Sequence, residues 1–74
     1  MENIMDTLEQ TIDRKLDLAK GADDYDTVWT YFQQAFGATG FAMTMLNNWE
    51  QEAVIVEKWD NEWRPAFEKI MMEV

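Results

Sequence analysis

The chain has 74 residues, 15 acidic and 6 basic side chains, a formal net charge of −9, and no cysteine or histidine. It also has no serine, so disulfides, ordinary zinc sites, the usual general base and the two commonest nucleophiles are all excluded. No apolar run approaches the ~20 residues that span a membrane, and an acidic surplus disfavours direct contact with nucleic acid or anionic lipid, since both are polyanions.

A hydrophobic content of 47% argues for a folded chain despite the charge. Residues 1–74 read as a single helical domain. A core of this size supplies only about 3–5 kcal/mol of net stability, so good helix packing or self-association has to stand in for the missing covalent staples. The acidic start, Met-Glu-Asn-Ile-Met-Asp, does not fit a secretory signal, and a soluble, cytoplasmic protein is expected.

Residues 2–20 are predicted to form the first helix. Met5, Leu8, Ile12, Leu16 and Ala19 recur at steps of three and four, which places them on one face. Gly21 is expected to end it with a positive φ. Asp23 or Asp24 can then cap the next helix by accepting a backbone N–H. The acidic cluster Asp23, Asp24 and Asp26 fails the calcium-loop pattern, lacking Gly at the sixth position and Glu at the twelfth, so a capped helix start is the better reading.

The second helix is predicted over Tyr25–Phe36, with Val28, Trp29, Phe32 and Ala35 among its apolar residues. Gly37-Ala-Thr-Gly40 reads as the break after it, with Thr39 able to cap a third helix over residues 40–60. Ala42, Leu46, Trp49, Ala53, Val56, Trp63, Phe67, Ile70 and Val74 keep a three-and-four spacing through the C-terminal half, with Asp60 the only polar residue at a stripe position. Two features compete with that reading. Asn47-Asn48 is a poor helix pair that can mark a turn, and Ala-Val-Ile-Val at 53–56 is β-branched, so a hairpin at 41–59 would give an α+β domain.

Pro65 is tolerated only in a first turn or at a kink. Either Asp60 or Asn61 caps a fourth helix, or one long helix bends at Pro65. The fold expected is therefore an all-α bundle of three to four helices.

Nothing in the chain marks a catalytic, cofactor-binding or metal-binding residue, and a non-enzymatic protein is expected. Ten aromatic residues are many anchors for so small a core, and Trp and Tyr are enriched at interface hot spots. Trp59, Trp63, Phe67 and Met43 are the candidate apolar contact residues, with Trp59 expected to be exposed. Glu50, Glu57 and Asp60 are expected at the rim. Met43, Val54 and Met72 fall opposite the main stripe if the C-terminal half is one helix, which implies a second buried face and points to a homodimer.

Two functions follow from these features. One is a small acidic protein-binding module, an inhibitor or regulator that docks on a basic surface, in its sharpest form by imitating DNA phosphates. The other is a structural homo-oligomer with no other partner. Neither involves a cofactor, direct nucleic-acid binding or a membrane.

Overall fold

A computed structural model describes residues 3–74, and every element in that span is helical. The first helix, α1, is Ile4–Lys20; α2 is Tyr25–Leu46; α3 is Trp49–Lys58; α4 is Arg64–Glu73. A π-helical segment, Trp59–Trp63, joins α3 and α4 into one bent helix. The result is the expected all-α bundle. No strand occurs among the described residues, so the hairpin at 41–59 does not form, and residues 53–56 are helical. Glu2, assigned to the first helix from sequence, lies outside the described residues.

Local signals explain α1. The Asn3 side chain accepts the Asp6 amide at 2.8 Å and caps the start. Asp6 stands in the first turn and Lys20 in the last, which complements the helix dipole. Leu8, Ile12 and Ala19 are buried, with Met5 and Leu16 packed beside them. Gly21 follows as the cap, but at φ −90° and ψ −1° it is right-handed. The expected positive φ is therefore wrong. The chain leaves the helix through tight bonds from the Gly21 and Ala22 amides to the Leu18 and Ala19 carbonyls, a closure open to any residue.

Asp24 caps α2 doubly. Its carboxylate accepts the Thr27 amide at 3.1 Å and the Thr27 hydroxyl at 2.6 Å. These two bonds hold the Asp24 carboxyl below the ordinary carboxylate range, the hydroxyl contributing most.

The largest departure from expectation is that α2 does not stop at Phe36. It runs through Gly37 and Gly40 for 22 residues. Each glycine costs a helix interior roughly 0.5–1 kcal/mol relative to alanine. Val28, Ala35, Thr39 and Ala42 are buried along the same helix, and tertiary burial of this kind outweighs local propensity. Thr39 is thus a buried mid-helix residue rather than a cap; its hydroxyl donates to the Phe36 carbonyl at 2.6 Å.

The true boundary is the asparagine pair. Asn47 adopts the left-handed region at φ 45° and ψ 45°, which a short polar side chain tolerates better than most. Asn48 then caps α3, its side-chain oxygen accepting the Glu50 and Gln51 amides at 3.0 and 3.2 Å. The predicted third helix over 40–60 is therefore split between α2 and α3. With it goes the single continuous helix that would have set Met43, Val54 and Met72 on one back face.

Within the bent helix the buried residues are Ile55, Trp59, Trp63, Phe67 and Ile70. The first four are spaced by four. On an ideal α-helix each such step overshoots a full turn by about 40°, so the run would drift out of the core. The wider π-turn, closed by a bond from the Arg64 amide to the Trp59 carbonyl, takes up that drift. Pro65 sits in the first turn of α4, just past this loosened segment, where its missing N–H costs least. Neither Asp60 nor Asn61 caps a helix there, since the chain stays helical throughout. The expected alternative of one bent helix is the form observed, with the π-turn as the site of the bend.

Helix α2 is central and touches α1, α3 and α4. The Cα envelope measures 37 × 23 × 14 Å. Packed helices lie 8–10 Å apart, so 14 Å holds two layers and leaves one side of α2 uncovered.

Candidate interaction surface

The aromatic cluster between the first half of α2 and the π-turn with α4 starts in the core and reaches the surface. Phe67 is fully buried. Phe32 meets it edge-on at 5.7 Å and meets Trp59 at 5.4 Å. Phe36 also packs edge-on against Trp59 at 5.4 Å, and Trp29 stacks on Phe32 at 5.3 Å. Trp59 thus touches two phenylalanines of α2 and is only 8% exposed.

This placement revises the expected contact residues. Trp59, Trp63 and Phe67 are core residues, not surface anchors, because the four-residue spacing and the π-turn aim them inward. Met43 is half-buried and packed on the core. Glu50, Glu57 and Asp60 are exposed. Glu50 stands in the first turn of α3, whereas Asp60 pairs with Arg64 at 3.8 Å. The structure does not bring the seven together into one site.

Among the described residues, five of the eleven large apolar side chains that are exposed lie on α2, and Trp49 opens α3 just past its end. Trp29 is 41% exposed, Phe36 59%, Phe41 68%, Met45 57% and Trp49 76%. At 100° per residue, Trp29 and Phe36 fall along one edge of the outward side of α2, and Phe41 and Met45 along the other. Thr30, Gln33, Gly37 and Thr44 form the crest between them. A side chain added at Gly37 or Gly40 would meet nothing within 4 Å, so nothing in the monomer requires either glycine.

Beside this face, Ile4, Leu8, Ala38, Phe41 and Met45 line an apolar groove of about 260 Å³ between α1 and α2. A sequence signal for the whole region existed: between Asp26 and Glu50 no residue is charged. Read as the outward side of one helix, that gap marks a face unlike any other on this acidic chain.

Apart from Asp26, the charged side chains stand outside α2, and of them Arg64 borders the Trp29–Phe36 edge. Lys58 bonds Glu9 of α1 at 3.1 Å and lies 3.8 Å from Glu62. Glu9 raises the Lys58 pKa through this hydrogen bond and its charge, with smaller effects from Glu62 and Asp13. Arg64 pairs with Glu68 as well as Asp60. Among the described residues no cluster of carboxylates is arranged to hold a metal ion, and no helix is long and apolar enough to cross a membrane. No family model matches the chain, and comparisons with curated proteins and with solved structures find no similar one.

Proposed function

We propose that this protein is a non-enzymatic protein-interaction module and that the outward face of α2 is its contact surface. One observation carries the reading: a 22-residue helix that is free of charge after Asp26 leaves Trp29, Phe36, Phe41 and Met45 in solvent. A helix apolar on more than one side has more than one packing partner, and exposed aromatic clusters of this kind are the anchors of protein interfaces. A non-enzymatic role is supported by the residue inventory and by the titrating groups. Asp24 and Lys58, the two among the described residues whose pKa values move, are accounted for by a helix cap and an ion pair.

The module acts by occupancy, as an inhibitor, a regulator or an assembly unit. A form imitating DNA phosphates has less support, because Glu9, Asp60, Glu62 and Glu68 are engaged with Lys58 and Arg64.

A photoreactive phenylalanine analogue at position 41 tests the reading in cells that make the protein. Irradiation is expected to yield a protein adduct, and the same analogue at Asp13 on α1 is expected to yield none. If position 41 gives no adduct, or no more than position 13, the α2 face is not a contact surface and the proposal fails.

A further inference from the structure

We infer that the occupant of this face is a second copy of the same chain, paired antiparallel through α2 with Gly37 near the two-fold axis. The inference rests on the interaction-module reading and names its partner.

Charge selects the partner. Two chains of net charge −9 repel, and a stable contact between them must form where neither carries charge. The α2 face meets that condition from Thr27 to Leu46. Elsewhere α1 presents Asp6, Asp13 and Asp17, and α3 presents Glu50 and Glu57, all exposed. Pairing through α2 leaves those carboxylates on the far sides of the dimer. A basic partner would be drawn to the carboxylates, and this face offers it none along its length.

The face also complements itself. In a two-fold contact, residue i meets j and j meets i. With Gly37 on the axis, an antiparallel register sets Thr30 opposite Thr44 of the second copy, and it brings the Trp29–Phe36 edges of the two copies together on one flank and their Phe41–Met45 edges together on the other. The open space at Gly37 and Gly40 lets the two backbones approach closely.

The area is adequate. Taking 150–250 Å² for a large side chain, the exposed fractions of Trp29, Phe36, Phe41 and Met45 leave on the order of 450 Å² of apolar surface per chain. The threonine, glutamine and glycine positions between them extend this toward the roughly 800 Å² per partner of a standard interface.

Sedimentation of the purified chain over a concentration series tests the pairing. A reversible monomer–dimer equilibrium is expected, and the dimer is expected to tighten as salt rises, because screening weakens like-charge repulsion. Gly37→Glu is expected to keep the helical spectrum, since its side chain has room in the monomer, and to raise the dimer dissociation constant at least about tenfold by burying charge at the axis.

The chain has no native cysteine, so introduced thiols report the register. Thr30→Cys mixed with Thr44→Cys is expected to cross-link on oxidation, while neither variant alone does. A chain that stays monomeric up to about 1 mM, a dimer that loosens with salt, or one indifferent to Gly37→Glu would overturn the inference. So would a position-41 photo-adduct heavier than two chains together with a monomeric purified protein, although the module reading would then stand. Absence of any adduct defeats both.

Discussion

Asn47 and Asp24 show how single side chains set the boundaries of this fold. Asn47 holds a left-handed conformation that costs most L-residues roughly 1–2 kcal/mol. Asn47→Gly should therefore match or exceed the native stability in urea melts, and Asn47→Val should lose about 1–2 kcal/mol. The Asp24 carboxyl is held below its ordinary value of 3.8 by bonds that exist only when folded. Its stabilising effect is complete above that unfolded value and is lost as pH falls through the lower folded one. Asp24→Ala should thus melt earlier than the native chain at pH 7, and the gap should close progressively below pH 3.8. An equal gap at pH 7 and at strongly acid pH would contradict the capping role. Phe67 belongs at this scale too. Its truncation to alanine should cost about 3–5 kcal/mol, close to the whole stability of so small a domain, whereas Phe41→Ala on the solvent face should leave the monomer folded. Circular dichroism separates the two.

At the scale of elements, the fold was most legible where local chemistry and tertiary packing agree. The α1 stripe from Met5 to Ala19 could be read directly, and so could the aspartate cap of α2. Legibility failed where two strong local signals competed. Gly37 and Gly40 carry the stronger breaker signal, yet Asn47 and Asn48 are the real boundary, because Ala35, Thr39 and Ala42 are buried on both sides of the glycines. The C-terminal stripe failed for a geometric reason. Steps of three and four were extrapolated across a helix break and a π-turn, and each resets the phase. Trp63, Phe67 and Ile70 were placed correctly, while Ile55 and Trp59 were missed as core and Trp49, Ala53 and Val56 are exposed. The phase is open to test: Ile55→Ala should cost about 2–5 kcal/mol, while Val54→Ala and Val56→Ala should each cost far less, despite all three lying in one β-branched run. Equal costs would mean that α3 is rotated from the orientation described. The candidate interface showed in the sequence only as an uncharged stretch from Thr27 to Trp49; it could not be read as one face, since the outward side of α2 exists only if the helix crosses both glycines.

For the molecule as a whole, charge and apolar surface are segregated. Lys58 and Glu9 form the ion pair that links α1 to α3, and exposed pairs of this kind are worth little, so stability should depend mainly on the apolar core. Association should behave differently. As pH falls from 7 toward the sequence isoelectric point of about 4.1, repulsion between copies declines, and the apparent association constant measured by light scattering should rise. Association that weakens over that range would point instead to a contact held by ionised carboxylates.

A slab 14 Å thick has no deep interior. Its buried side chains lie in a single layer between two sets of helices, and α2 contributes to that layer along nearly its whole length. No helix can swing away without wetting the layer that holds the others. Larger proteins open in successive cooperative units, each with its own free energy. Here the slowest-exchanging amides of α1, α2 and the bent helix should share one opening free energy, equal to that of global unfolding.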